Sequence, residues 1–217
     1  MKITYAITVC NESRELYSLI SFLKKVIDPE DDINVLVDSL HSTKQVSDVL
    51  DNFKDDITLN KREFLGDFAE HRNYHLERCT GDYIFVLDAD EMPNEKLIKI
   101  IKDMAEETGA DLITIPRINI HPGATEKWLK QSGFVTNEVG WINWPDYQTR
   151  FFKNKPEIRF GRQLHETIQG AKNHCSVKAI PEVSIWHIKS VEKQENRWDK
   201  NGNFIVPGNT HIYDKLM

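Results

Sequence analysis

The stretch Tyr83-Ile84-Phe85-Val86-Leu87-Asp88-Ala89-Asp90-Glu91 decides the fold. An apolar run leads straight into three acidic residues. Such a run, flanked by turn-forming Gly81 and Asn94, reads as a buried strand. In open α/β sheets, ligands gather beyond the carboxyl ends of the strands. Asp88 and Asp90 stand one residue apart at such an end, so both can face a hard divalent cation, Mg²⁺ or Mn²⁺. A cation there can bridge two phosphates and neutralise a leaving diphosphate. The competing reading makes these residues turn and cap positions before a helix at Glu95.

Outward from this strand the pattern alternates. Ile3 to Cys10 reads as a strand, followed by a helix capped by Asn11 or Ser13 with Leu16, Leu19, Ile20, Leu23, Val26 and Ile27 on one face. Ile33 to Val37 is a second strand, and a helix capped by Ser42 or Thr43 carries Val46, Val49, Leu50 and Phe53. Ile57 to Leu59 is a weak third strand. Asp67 caps a helix through Arg78, with Gly81 as its C-terminal glycine. Asn94 opens a helix closed by Gly109, and Leu112 to Ile115 is a further strand. Strands alternating with helices imply βαβ units. After Pro116 the pattern changes. Residues 121–146 read as a long irregular segment with Trp128, Trp141 and Trp144. Short strands follow at 147–153 and 183–188, then a charged helix from Val191 to Trp198 and a loop-like tail. The expected organisation is a single domain, with residues 1–115 as a nucleotide-binding half and 116–217 as an acceptor and catalytic half.

The chain has 217 residues and a formal net charge of −6, which disfavours dedicated nucleic-acid binding. Hydrophobic residues make up 40%, enough for a full core without disulfides. Cys10, Cys79 and Cys175 lie far apart with no C-x-x-C, pointing to a reducing compartment and no structural zinc. No apolar run reaches the roughly 18 residues of a membrane span, and no signal peptide is visible, so the expected location is cytoplasmic.

Glu70-His71-Arg72-Asn73 on a helix, then Gly81-Asp82-Tyr83, the apolar strand and Asp88-Ala89-Asp90, resemble the family 2 glycosyltransferases. Asn11-Glu12 after the first strand and Asp38-Ser39 after the second match that family's nucleotide-contacting loops. The resemblance implies a GT-A-like α/β fold, a mainly parallel mixed sheet flanked by helices. It implies that Thr8, Val9, Cys10, Asn11 and Glu12 line the nucleoside pocket, with Asp38 on the base edge and Arg72-Asn73 near base or phosphates. Asp88 and Asp90 would hold ribose and metal, Asp90 as the more direct ligand, with Ala89 between them in the nucleotide-sugar site. Taken singly, Cys10 reads as a small core residue and Asp38 as a strand-end turn residue.

The second half carries Trp144-Pro145-Asp146-Tyr147-Gln148-Thr149-Arg150-Phe151-Phe152, then Phe160-Gly161 and Leu164-His165-Glu166. This resembles a bacterial subgroup that includes lipopolysaccharide core glucosyltransferases. An inverting transfer needs a carboxylate base to deprotonate the acceptor hydroxyl. The resemblance places Glu166 first in that role and Asp146 second, with His165 orienting the loop or touching phosphate. Arg150 either pairs with diphosphate or braces its strand. His187 is either an additional metal ligand or a buried histidine bonded to backbone. Lys189, Lys193 and Arg197 read as solvated, with phosphate contact as the alternative, while His71, His75 and His174 read as solvated or structural. Trp128 suits a sugar-stacking acceptor site and Trp141 the core.

The implied activity is metal-dependent transfer of a sugar from a nucleotide-sugar, in the first place a UDP-sugar, to a glycan or other hydroxyl acceptor. Two rivals stand beside it. A nucleotidyltransferase also uses strand-end carboxylates, but the loop Cys10-Asn11-Glu12-Ser13-Arg14 lacks its glycines. A noncatalytic saccharide- or partner-binding domain would not need intact acidic and His-Glu motifs.

Overall fold

The computed structural model describes residues 1–195. Strand β1 (Ile3–Val9) leads to helix α1 (Ser13–Val26), β2 (Asp32–Asp38) to α2 (Lys44–Asn52), and β3 (Thr58–Arg62) to α3 (Phe68–Leu76). Strand β4 (Tyr83–Asp88) is followed by a short β5 (Glu91–Pro93) and α4 (Glu95–Thr108). Then come β6 (Leu112–Ile120), α5 (Glu126–Gln131), the long β7 (Ile142–Lys153), the hairpin β8 (Arg159–Gly161) and β9 (Thr167–Gln169), β10 (His174–Ser176), β11 (Ile185–Ile188) and α6 (Val191–Glu195).

The main sheet runs β3-β2-β1-β4-β7-β6-β11-β5, with β10 beside the start of β6. From β3 to β4 every pairing is parallel. Strand β7 is antiparallel to both β4 and β6, β11 is parallel to β6, and β5 closes the edge antiparallel. The mainly parallel mixed sheet flanked by helices, expected from the alternation, is what forms.

Strand alternation sorts the two faces. Ile3, Tyr5 and Ile7 of β1 pack with Leu16, Leu19, Ile20 and Leu23 of α1 and with Leu97 and Ile101 of α4. Ala6 points the other way, with Ile84 and Val86, against Leu76 of α3 and Phe160 of β8. Each fully buried aliphatic side chain contributes about 1.5–3 kcal/mol. Helix starts follow cap chemistry: the Thr43, Asp67 and Asn94 side chains accept from Val46 N, Glu70 N and Lys96 N.

Several expectations change. Helix α1 is preceded by Glu12, which makes no side-chain cap, so neither Asn11 nor Ser13 serves as one. Helix α3 ends at Leu76, and Gly81 is not its cap. Gly81 is required by close approach instead: a Cβ there would lie 2.5 Å from Thr4 N. Strand β6 runs on through Pro116 to Ile120. The proline is tolerated because β10 pairs only with Leu112 to Thr114 and β11 only with Arg117 to Ile120, so it sits between the two partners. The segment 121–146 is less irregular than expected, since it holds α5 and the first residues of β7. Arg197, Trp198 and the tail lie outside the described residues. Among the described residues no helix is long and apolar enough to cross a membrane.

Candidate active site

Every residue that the sequence assigns to nucleotide, metal or base lines one cleft of about 650 Å³, Asn73 excepted. The cleft opens where β1, β2 and β4 end, and β6, β7 and β11 supply its far wall. Asn73 lies one residue beyond the cleft-facing Arg72 and turns to Phe160, donating to its carbonyl at 2.8 Å and accepting from its N–H at 2.9 Å. It clamps the β8–β9 hairpin onto α3.

The nucleoside wall is pinned by carboxylates bonded to nearby backbone. Glu12 Oε2 accepts from Cys10 N at 3.1 Å and Asn11 N at 3.0 Å, fixing the loop after β1. Asp38 is buried, and its Oδ1 accepts from Leu40 N and Phe64 N. Its Oδ2 lies 2.7 Å from His41 Nδ1. Asp38 thus shapes the wall through the loops it holds. Burial, helped by Glu12 and Asp38, pushes the Cys10 thiol up to about 12, so it is inert near neutral pH. His71 also faces the cleft, its ring 5.4 Å from that of Phe64, and burial lowers it to about 4.

The phosphate end is a network of charges. Arg72, on α3, donates from Nη2 to Asp88 Oδ1 at 2.8 Å and from Nε to Glu166 Oε1 at 2.7 Å. Arg150, on β7, donates from Nη2 to Asp88 Oδ2 at 2.8 Å and to Glu91 Oε1 at 2.6 Å. Glu91 is the hub: its Oε1 also takes Arg117 at 2.7 Å, and its Oε2 takes the Asp88 backbone N–H at 3.1 Å. Burial opposes the charge on Asp88, yet Arg72 and Arg150 outweigh it and hold the carboxyl well below its ordinary range. Buried Arg72 Nη1 finds no hydrogen-bond partner among the described residues. An orphaned guanidinium donor in a cleft suits an anionic ligand such as a diphosphate.

Asp90 has a different neighbourhood. Its Oδ2 lies 3.3 Å from Lys193 Nζ and 3.7 Å from His187 Nε2. Burial is outweighed, with the Lys193 ammonium the largest opposing influence, and the carboxyl is lowered well below its ordinary value. Lys193 also reaches Glu12 at 3.1 Å and Glu15 at 3.8 Å. It is therefore a half-buried cleft residue engaged by carboxylates rather than a solvated one. No three carboxylate, imidazole or thiol groups converge into a ready cation site among the described residues. Asp90 and His187 nonetheless fit a divalent cation that takes its remaining ligands from phosphate oxygens and water, the usual habit of Mg²⁺. Both oxygens of Asp88 are already engaged by arginines.

The turn that delivers Glu166 joins β8 and β9. Arg162 (φ 70°) and His165 (φ 54°) sit in the left-handed region, which residues with a side chain rarely occupy. Asp146 is held on every side: Oδ2 takes Arg117 Nε and Nη2 and Asn119 Nδ2, and Oδ1 takes Gln148. Burial is outweighed by Arg117, and the carboxyl is lowered. Arg117, Asn119 and His121 went unrecognised as cleft residues in the sequence, and Glu91 as the buried hub behind them; cross-strand register, which brings them together, leaves no local signal. Trp128 packs against His121 and Phe134, and Trp141 against Trp144 and Trp186, half-buried rather than in the core.

Comparison with known proteins gives a consistent result. The model of Glycosyl transferase family 2 matches residues 4–171. The SPbeta prophage-derived glycosyltransferase SunS of Bacillus subtilis (strain 168) is 26% identical over 189 residues, covering 85% of this chain and 39% of SunS. The same figures hold for glycosyltransferase SunS of Bacillus phage SPbeta. The chain thus spans about two fifths of the length of these relatives. Crystal structures of S. aureus TarS 1–349 share the fold. The complex with UDP-GlcNAc has TM-score 0.62 and 17% identity over 87% of this chain and 59% of that one. The complex with UDP has TM-score 0.61 and 16% identity over 89% and 62%.

Proposed function

The chain belongs to glycosyl transferase family 2, and from that premise we propose that it transfers a sugar from a UDP-sugar to a hydroxyl acceptor, with inversion and with Mn²⁺ or Mg²⁺ bound. The observation that carries this reading is the convergence of Asp88, Asp90, Arg72 and Arg150 at the strand ends of one cleft, with an unpartnered Arg72 donor beside them. The TarS complexes with UDP and UDP-GlcNAc support the choice of donor.

In this reading the loops held by Glu12 and Asp38 receive the nucleoside. Arg72 and Arg150 lie where negative charge gathers on the diphosphate, and Asp88 keeps both guanidiniums in place. Asp90 and His187 hold the divalent cation, which supplies neutralisation of the leaving diphosphate. Glu166 is the general base. Its carboxylate faces the cleft with one charged partner, Arg72, whereas both oxygens of Asp146 are fully engaged. A diphosphate that draws Arg72 toward itself frees Glu166 to accept the acceptor proton. The acceptor is a glycan or another hydroxyl compound, and the reaction is placed in the cytoplasm.

The test is direct. Purified protein with Mn²⁺ and a panel of nucleotide-sugars is expected to bind UDP and to turn over one UDP-sugar. Glu166→Gln is expected to lower turnover by about 10²–10⁴-fold while UDP binding persists. Asp90→Ala is expected to remove the Mn²⁺ dependence of UDP binding. Absence of any nucleotide-sugar binding by the wild type would overturn the proposal.

A further inference from the structure

Asn119 and Asp146 lie outside the nucleotide loops, yet Asn119 shares a row of the sheet with His187 and reaches Asp146 in the neighbouring row. The register of β6 with β7 places Arg117 opposite Asp146, and that of β6 with β11 places Asn119 opposite His187. On the far side, β11 pairs His187 with Glu91. We propose that Asn119, oriented by Asp146, is a positioning residue that fixes the proton of His187 on Nδ1 and so presents Nε2 to the cleft as a lone pair. This rests on the reading that Asp90 and His187 hold a divalent cation.

The argument is one of donors and acceptors. An ionised carboxylate only accepts. The Asn119 atom lying 2.7 Å from Asp146 Oδ2 is therefore the amide nitrogen. Reversing that amide would set two acceptors against each other. With the nitrogen committed to Asp146, the amide oxygen is the atom 2.8 Å from His187 Nδ1. An amide oxygen also only accepts, so Nδ1 carries the hydrogen. A neutral imidazole has a single N–H, which leaves Nε2 as an acceptor. That atom faces Asp90 Oδ2, another acceptor, at 3.7 Å. A lone pair and a carboxylate facing each other at this distance suit a cation. Lys193 Nζ, 3.3 Å from the same carboxylate oxygen, supplies positive charge in this structure.

Metal-ligating histidines characteristically donate their other N–H to an oxygen that fixes the tautomer, and losing that partner lowers metal affinity. Here the holding oxygen is itself held. Arg117 donates to Asp146 from Nε at 3.0 Å and Nη2 at 2.8 Å, which keeps the carboxylate charged and in place. The chain Arg117–Asp146–Asn119–His187 thus transmits strand register into ring chemistry.

Long-range ¹⁵N–¹H correlation spectra of the metal-free wild type, taken above the ordinary imidazole titration range, test this without any activity. The expected result is the Nδ1–H tautomer for His187. Asn119→Leu is expected to shift it toward Nε2–H, and Asp146→Asn to give a mixture. Mn²⁺ affinity in the presence of UDP, read by electron paramagnetic resonance, is expected to fall by about 10–100-fold in both variants. An Nε2–H tautomer or a doubly protonated ring in the wild type would overturn the proposal, even if the variants failed to fold. So would an unchanged tautomer in a folded Asn119→Leu protein. His187→Ala separates the two readings: if it leaves Mn²⁺ affinity intact while the wild-type ring is Nδ1–H, the cation assignment falls and the tautomer lock stands.

Discussion

The two walls of the cleft are built by opposite means. The nucleoside wall, at the ends of β1 and β2, is pinned by carboxylates that bond backbone N–H groups, mostly a few residues away, as Glu12 does to Cys10 and Asn11. Behind it runs a neutral polar chain. Asn34 Nδ2 donates to the Arg78 carbonyl, and Asn34 Oδ1 accepts from Asn60 and from His75. The wall formed by β6, β7 and β11 is instead a buried charge network. Arg150 meets Asp88 from 62 residues away and Glu91 from 59, while Lys193 meets Asp90 from 103. A wall of neighbouring backbone contacts survives the loss of one partner. A wall of long-range charges does not, because each removal strands a buried ion.

The largest expected effect therefore lies on the charged wall. Arg150→Met leaves Asp88 and Glu91 short of a partner, and the expected loss is about 3–5 kcal/mol in urea unfolding. A loss well under 1 kcal/mol, the level typical of exposed pairs, would show that these charges behave as solvated ones and would erase the contrast.

Acid sharpens the comparison next. Burial, with lesser contributions from Arg72 and His71, pushes His75 down to about 3 from an ordinary 6.5. Between those values the unfolded chain binds a proton that the folded protein refuses, so stability falls as pH drops through this window. Asp88 and Asp90 are lowered below 3.8, so their contribution persists above that value and is lost only in stronger acid. The neutral network behind the nucleoside wall is expected to fail first. Lowering the pH from about 7 to about 5 should remove about 2 kcal/mol through His75. Urea midpoints at both values check this, and the difference should shrink in His75→Gln.

The smallest effect is expected at a local device of the nucleoside wall. Thr43 accepts from Val46 N at 3.3 Å and starts α2 just beyond the Asp38 loop. Thr43→Ala should cost about 1 kcal/mol, read as a shift in thermal midpoint with Mn²⁺-dependent UDP binding retained.

Legibility in the sequence follows the same divide. Asp67, Asn94 and Gly109 mark helix ends because caps act over a few residues, and the β4 run announces its strand by its apolar character alone. Asp88, Asp90, Arg72 and Glu166 were visible because they lie in short motifs. Glu91 was visible only as a third acid in a row, although it is the buried hub of the network. Lys193 looked solvated because its helix is charged along its length. Asn73 stood inside a motif, yet its side chain serves the β8–β9 hairpin.

The sequence by itself determined the alternation of strands and helices, the two-faced core and the acidic strand end, because hydrophobic period and capping act locally. The tertiary structure alone decided what each acid does. Asp88, Asp90 and Glu91 span four residues of chain, yet one is gripped by two arginines, one faces an ammonium and an imidazole, and one is sealed beneath them. Their partners come from α3, β6, β7, β11 and α6, and only sheet register and helix packing bring those residues within hydrogen-bonding reach.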